Sequence, residues 1–262
     1  MKEQKLKGLF GRTGGKSKLK DKIRRMMPPH TTYIEPFVGG GSVFFSAPAD
    51  PNRKEIINDK DRDIINIYLD VKNVGDKVID LPVVKSKEQF NALVNKKKFA
   101  SPVERLKRNI LVGLYSFRSD RKSYAPSKTV EKLGRGSVGS QKKYYKYKER
   151  LKNTRILSQD YRTVIKKYDN PNALIYLDPP YSTALKNKDY NSNDVPIEDV
   201  INLLKTVKGK FILSYDDIPL ARKLARDAGF KVMTVRTEYN AGRTGDAVSN
   251  TIPKKELIIR NY

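Results

Sequence analysis

Along the chain, short apolar runs of strand character alternate with stretches whose apolar residues recur at spacings of three and four. "YIEPFV" (33–38), "EIINDK" (55–60), "TRILSQD" (154–160), "ALIYLDPPY" (173–181), "FILSYDD" (211–217) and "KVMTVRTEY" (231–239) read as strands, rich in β-branched and aromatic residues. Residues 61–71, 197–207 and 219–228 carry the helical period, and Gly229 stands where a helix end wants a residue with free φ. The closing "KKELIIRNY" (254–262) adds a last strand. Strands and helices in alternation predict an α/β fold, with a mostly parallel sheet covered by helices on both faces.

Residues 73–150 break that rhythm. They read as mainly helical around a Gly/Ser-rich loop, "EKLGRGSVGSQKK" (131–143), and form a predicted insertion into a main domain made of 1–72 and 151–262. A chain of 262 residues is long enough for one large domain with such an insertion. No internal repeat or heptad register is present.

Composition changes the picture in two ways. There is no cysteine, which removes disulfides, thiolate metal sites and thiol nucleophiles together and fits a reducing, intracellular setting. The first twenty residues flank a very short apolar run with charge on both sides, so neither a signal peptide nor a membrane span is expected there. The second change is electrostatic: 54 Lys and Arg against 29 Asp and Glu leave a net charge of +25. Such a field favours a polyanionic partner, since nucleic acid gains affinity from counterion release. A solvated basic surface, or one drawn to anionic membrane, has the same composition, but no basic amphipathic stripe marks a membrane helix. From 96 to 155 there are 19 Lys and Arg against 4 Asp and Glu, so +15 of the excess lies in under a quarter of the chain. That segment also holds Phe99, Tyr115, Phe117, Tyr124, Tyr144, Tyr145 and Tyr147. Aromatics among cations suit base stacking, although Tyr115 and Phe117, in an apolar run, read better as core.

Candidate chemistry begins with "GRTGGKS" (11–17). A triphosphate loop of the form GxxxxGK[ST] would need glycine at position 10, which is Phe10, and no apolar strand precedes it. The next cluster, "EPFVGGGSVFF" (35–45), directly follows the first strand, where glycines let a ligand approach the backbone. Its spacing is not the dinucleotide fingerprint. Asp59 ends the second strand, where a carboxylate can accept from both ribose hydroxyls of an adenosine-containing ligand; a tight turn and a helix-capping Asp are the structural alternatives.

The strongest signal is "LIYLDPPY" (174–181), a buried strand that ends in Asp178, Pro179, Pro180 and Tyr181. The prolines stiffen the corner and remove two backbone donors, leaving the Asp178 carboxylate and the Pro179 carbonyl as acceptors. Two acceptors suit an amino group with two hydrogens. On a base, that amine's lone pair is delocalised into the ring; accepting both hydrogens favours a pyramidal nitrogen with a localised pair. The Tyr181 ring suits stacking on the base. The single histidine, His30, falls in a loop and is given no role.

Taken in order, "GGKSKL", "EPFVGGGSVFF", "INDKDRDIINIY", "SQDY" and "LDPPY" resemble the Dam-type, alpha-class DNA adenine N6-methyltransferases over nearly the whole chain. The resemblance implies a Rossmann-like S-adenosylmethionine-dependent methyltransferase fold with a C-terminal antiparallel hairpin strand, a catalytic domain of 1–72 and 151–262, and target recognition in 73–150. It also implies S-adenosyl-L-methionine as cofactor. Lys16 would lie beside that site, with Arg12 standing where the family motif has an aromatic. Glu35, Phe37, Gly39 and Gly41 would surround the methionine moiety, Asp59 would hold the ribose, Asp160 would meet the adenine amino group, and Asp178 would border the cofactor as well as the target. The implied reaction is methyl transfer to N6 of an adenine flipped out of duplex DNA. The donor carries its own positive charge, so the reaction asks for no metal and no strong base.

Recognition is expected in "LYSFRSDRKSYAPSK" (114–128), where Arg118, Arg121 and Lys122 suit guanine edges or phosphates and Tyr124 lies among them. This stretch departs from the Asn-x-Pro-Phe-Gly-like version of GATC readers, which leaves the target sequence open. Arg243, in the closing loop, is placed by the resemblance to reach DNA. Double-stranded DNA is therefore the expected partner, with neither membrane nor metal, and a monomer or weak homodimer is expected. The alternatives are methylation of RNA or a protein amide, since related turns serve those substrates, and a catalytically inactive DNA-binding protein.

Overall fold

The computed structural model describes residues 6–10, 16–78, 81–116, 121–125, 137–180, 195–240 and 251–262. By contact the chain groups into two compact units. One is made of 1–20, 39–50 and 61–156, the other of 21–38, 51–60 and 157–262.

The sheet consists of strands β1 (Thr32–Glu35), β2 (Lys54–Asn58), β3 (Arg155–Leu157), β4 (Ala173–Leu177), β5 (Lys210–Asp216), β6 (Lys231–Asn240) and β7 (Thr251–Arg260), all within the second unit except the first two residues of β3. Among the described residues its order is β3-β2-β1-β4-β5-β7-β6. β1 pairs in parallel with β2 and β4, and β4 with β5; β7 runs antiparallel to both β5 and β6. The sheet is therefore mostly parallel, closed by the antiparallel hairpin expected from the sequence. Strand ends fall short of the apolar runs because the chain must turn: β1 stops before Pro36, which lacks a backbone donor, and β2 stops before Asp59.

Side chains on a strand alternate, and both sets are buried here. Ile34, Ile56, Ala173, Ile175, Leu177, Phe211, Leu213, Tyr215, Leu257 and Ile259 pack on the helices α6 (Tyr161–Tyr168), α7 (Ile197–Leu204) and α8 (Pro219–Asp227). Between them lie Tyr33, Glu35, Leu174, Tyr176, Ser214, Asp216, Glu256 and Ile258, also buried but far more polar. α8 starts on Pro219, whose missing N–H costs nothing in a first turn, and ends as the sequence predicts. Gly229 adopts φ 75°, the Gly229 N–H reaches the Arg226 carbonyl, and the Phe230 N–H reaches the Ala225 carbonyl. That is a complete Schellman end, and Phe230 seals it by packing edge-on against Phe211 at 4.8 Å. The short helix α1 (Lys20–Met26) is not announced by its sequence, since only Ile23 in it is buried.

The first unit is helical: α2 (Arg62–Val74), α3 (Lys87–Asn95), α4 (Pro102–Leu114) and α5 (Ser137–Leu151), with α2 packed on α4 and α5. Asp61, Ser86 and Ser101 cap the first three of these helices with side-chain oxygens. Phe90, Leu111, Val112 and Tyr115 form a small core under α3 and α4, so Tyr115 is a core residue as expected; Phe117 lies outside the described residues. Tyr144 and Tyr147 are buried as well, whereas Tyr145 is exposed. Among the described residues no helix is long and apolar enough to cross a membrane.

Candidate functional site

Because β1, β2, β4 and β5 are parallel, their carboxyl ends emerge together on one edge of the second unit. That edge collects Glu35, Asp59, Asp178 and Asp216 at successive strand exits. Glu35 is 2% exposed and accepts a hydrogen bond of 2.7 Å from the Tyr33 hydroxyl, two residues back on the same strand face. Burial, and next the Glu35 charge, push the Tyr33 phenol well above its ordinary pKa, so it remains a donor.

Asp178 follows β4 and is half-buried, Pro179 is buried and Pro180 exposed. The Pro180 carbonyl accepts from the Val195 N–H at 3.2 Å. Below the corner, the Tyr176 hydroxyl lies 3.2 Å from Ser214 Oγ. Burial raises the Tyr176 phenol well above its usual range, with Asp178 as the second cause. The strand that leads into the corner thus carries a fully buried phenol whose protonated form is favoured.

Asp59 is half-buried, and its N–H donates to the Leu157 carbonyl at 3.3 Å. Asp160 caps α6: its Oδ1 accepts from the Arg162 N–H at 2.9 Å, and its Oδ2 lies 3.4 Å from the Arg162 guanidinium, which also bonds Asp199 at 2.6 Å. A carboxylate has acceptor sites to spare beyond these two. Phe37 packs at 5.0 Å on Tyr161.

The residue that ties these exits together was not singled out by the sequence. Asn58, fully buried at the end of β2, donates from Nδ2 to the Pro36 carbonyl at 2.9 Å and to the Gln159 carbonyl at 3.0 Å, while its Oδ1 accepts from the Gln159 N–H at 2.9 Å. Its own carbonyl accepts from Val38 at 2.8 Å. The available signal was an Asn directly after Ile56 and Ile57, at a position a buried strand would give to an apolar side chain.

In the first unit, the glycine loop is built to be close-packed. Gly39 and Gly41 adopt φ 48° and 70°, in the left-handed region, and a Cβ on Gly41 would fall 2.9 Å from the Phe45 ring. The Tyr68 hydroxyl donates to the Gly39 carbonyl at 2.9 Å, and the Leu9 N–H donates to the Gly40 carbonyl at 2.8 Å, so the segment 6–10 is pinned along the loop. Lys16 is buried, and its carbonyl starts the turn into α1.

Of the recognition residues, Arg121 has φ 63° and donates to Asn109 Oδ1 at 3.0 Å and to the Asn109 carbonyl at 3.3 Å. Tyr124 is half-buried, 5.6 Å from the Phe90 ring, and forms an isolated antiparallel bridge with Ser116. Lys122 is exposed. Arg12, Arg118, Tyr181 and Arg243 lie outside the described residues. Among the described residues no group of three or more His, Asp or Glu is gathered as a metal site would require.

The family profile described as D12 class N6 adenine-specific DNA methyltransferase matches residues 13–241. The chain is 29% identical over 283 aligned residues to a type II methyltransferase, M1.LlaDCHI, of Lactococcus lactis subsp. cremoris, covering 95% of this chain and 93% of that protein. It is 26% identical to a DNA adenine methylase of Serratia marcescens, covering 91% and 94%. To the DNA adenine methylase of Escherichia coli (strain K12) it is 25% identical, covering 87% of each.

Proposed function

Because the chain belongs to the D12 class N6 adenine-specific DNA methyltransferase family, we propose that it transfers a methyl group from S-adenosyl-L-methionine to N6 of an adenine flipped out of duplex DNA. The observation that carries this reading is the rim of the second unit, where Asp59, Glu35 and the Asp178–Pro179–Pro180 corner close the adjacent parallel strands β2, β1 and β4. The chemistry of the rim fits the cofactor. Ribose hydroxyls, an exocyclic amine, an ammonium and a sulfonium are all donors or cations, and the rim offers acceptors and negative charge. Asp59 would take the ribose, Asp160 the adenine amino group, and Glu35 and Phe37 the methionine end; the family resemblance also assigns Lys16, Gly39 and Gly41 to cofactor binding. When bound, the cofactor supplies a methyl group on positively charged sulfur.

The chain's own residues have three tasks. Asp178 and the Pro179 carbonyl accept the two N6 hydrogens, which concentrates the nitrogen lone pair toward the incoming carbon. The stiff proline corner holds those acceptors without reorganisation, and the Pro180 carbonyl, already bonded to Val195, does not compete with them. Tyr181 stacks on the flipped base, helping to offset the few kcal/mol that unstacking costs. The cofactor would supply the methyl carbon and keep the C–S bonding pair on sulfur as a neutral thioether, and the proton shed by the alkylated nitrogen would pass to water. Residues 73–150 supply target recognition, and the basic surplus of 96–155 supplies affinity for phosphates.

The test is transfer of tritiated methyl from S-adenosylmethionine to several unmethylated duplex DNAs, with Asp178→Ala as control. The variant is expected to lose about 10²–10³-fold in rate, the scale for one preorganised polar group in a transition state. Wild-type counts no higher than the variant's on any of these DNAs would favour a catalytically silent DNA-binding protein.

A further inference from the structure

We propose that Asn58 is a positioning residue for the cofactor: a side-chain amide that locks three strand exits into one register so that their carboxylates converge on the same ligand. The inference rests on the reading of the rim as the S-adenosylmethionine site.

The amide of Asn58 has two N–H donors and one carbonyl acceptor. Both donors are used, on the Pro36 and Gln159 carbonyls, and the acceptor takes the Gln159 N–H. The backbone adds a fourth bond, from Val38 to the Asn58 carbonyl. None of these partners is a side chain: each is a peptide group of an exit loop. Every loop so held carries a proposed cofactor contact immediately beside the held peptide. Glu35 and Phe37 flank Pro36, Asp160 follows Gln159, and Asp59 follows Asn58 itself. The Phe37 and Tyr161 rings, 5.0 Å apart, join the first and third of these loops a second time. A side chain fully buried and fully satisfied has one geometry, so the spacing between the exits is fixed before any ligand arrives. Preorganisation of this kind appears in affinity, because a ligand need not pay to order the loops.

A matched control exists in the same unit. Asn170 makes a comparable set of bonds at the opposite end of the strands: Nδ2 to Thr32 Oγ1 at 3.3 Å and to the Tyr168 carbonyl at 3.1 Å, with Oδ1 accepting from the Asn172 N–H at 3.0 Å. If Asn58 only stabilised the fold, disrupting either residue would act alike.

The test compares Asn58→Asp and Asn170→Asp in the full chain. Each keeps side-chain volume and one acceptor while replacing both donors with an oxygen, which faces the Pro36 and Gln159 carbonyls at position 58 and the Tyr168 carbonyl and Thr32 hydroxyl at position 170. S-adenosylmethionine binding is measured by titration calorimetry, steady-state methylation at varied cofactor by tritium transfer, and stability by urea unfolding. For Asn58→Asp the cofactor Kd and KM should rise about tenfold or more, the scale of two lost hydrogen bonds, while kcat at saturating cofactor stays within about threefold, the signature of lost ground-state binding. Asn170→Asp should lose stability with cofactor KM unchanged. A variant that is only partly folded would lower apparent kcat at constant KM, which separates the two explanations. Should Asn58→Asp fail to fold, Asn58→Ser, which retains one hydroxyl donor, is expected to give a smaller rise in the same KM. Equal cofactor affinity in wild type and a folded Asn58 variant overturns the inference and leaves the proposed function standing. A wild-type chain that binds no S-adenosylmethionine overturns both.

Discussion

The two units fasten their polar groups in opposite ways. In the second, short side chains bind nearby backbone at strand ends: Asn58 at the rim, Asn170 and Asn261 at the other edge, and Asp169, whose two oxygens accept from Lys208 and Gly209 at 2.7 and 2.9 Å. In the first, long cationic side chains reach across helices. Arg105 forks onto buried Asp70 at 2.8 and 2.6 Å. Arg108 donates to the Leu93 and Val94 carbonyls at the end of α3, and Arg150 lies over Phe44 while donating to the Phe44 and Ala47 carbonyls. A helix end offers carbonyls without intrahelical partners, and a guanidinium satisfies them at a range no Asn can span. The lesson bears on charge. Part of the basic surplus, read from sequence as attraction to DNA, is internal fastening; Arg105, Arg108, Arg121 and Arg150 each bond within the protein. Among the described residues of that segment, the cations that face solvent are largely lysines, including Lys97, Lys98, Lys146 and Lys152.

The contrast breaks first at Arg105. Asp70 is 2% exposed and Arg105 38%, so Arg105→Ala strands a buried carboxylate with partial access of water to its former partner. The expected loss is about 2 kcal/mol, below the range for a fully buried pair. Asp70→Asn in the same background should restore part of it. Native-state hydrogen exchange locates the damage: amides of α2 and α4 should lose more protection than those of β4 and β5. Equal loss throughout would mean that the arginine fork is not local fastening.

Next come the lysines. Reversing Lys97, Lys98, Lys146 and Lys152 to Glu together should weaken duplex binding at least about tenfold and flatten the salt slope by up to about 0.9 for each phosphate contact removed. The loss should be similar on all DNA sequences, since phosphate contacts carry no sequence information. Fluorescence anisotropy at several salt concentrations reads both quantities. An unchanged slope would assign DNA contact elsewhere.

These predictions also mark what the sequence can and cannot say. Alternation of apolar runs gives the sheet because burial on two faces leaves long Ile, Leu and Tyr runs such as "ALIYL". Gly229 is legible because a helix end is local, decided within a few residues. Asn58 and Tyr33 are not: their partners lie a hundred residues away or depend on strand direction, so pattern shows only a polar residue where an apolar one was due. The internal bonds of the arginines are hidden in the same way, since sequence gives their charge but not what the guanidinium touches. α1 escapes because one buried Ile in seven residues leaves no period to detect.

A smaller effect tests the packing beside the rim. The Tyr161 hydroxyl is buried and makes no hydrogen bond among the described residues, while its ring packs on Phe37. Burial, as the largest cause, raises its pKa, which keeps the group neutral without giving it a partner. An unsatisfied buried hydroxyl costs about 1 kcal/mol or more. Tyr161→Phe should therefore stabilise the protein by about 1 kcal/mol in urea unfolding and leave cofactor affinity as it was. Destabilisation would show that the hydroxyl has a partner in solution.

The smallest expected effect concerns an ion pair in the second unit that resembles the Arg105–Asp70 fork of the first. Arg222 forks onto Asp217 with two bonds of 2.6 Å and also donates to Thr234 Oγ1 at 2.8 Å, tying the start of α8 to β6. The hydrogen bonds from Arg222 hold the Asp217 carboxyl below its ordinary 3.8, against an opposing contribution from burial. A carboxyl whose folded pKa is depressed contributes stability above its unfolded value and loses it as pH falls through the folded one. The pair should thus contribute in full at neutral pH, begin to fade near pH 3.8, and contribute nothing once Asp217 is protonated in both states. Asp217→Asn lacks this contribution at every pH. Its deficit against wild type should be about 0.5 kcal/mol at pH 7, as for partly exposed pairs, and should shrink toward zero in acid. Paired urea titrations across that range cancel the other carboxylates, which titrate in both proteins. A deficit that persists unchanged at pH 2.5 would mean Asp217 acts through packing, and that the second unit relies on short polar side chains even where it carries an arginine fork.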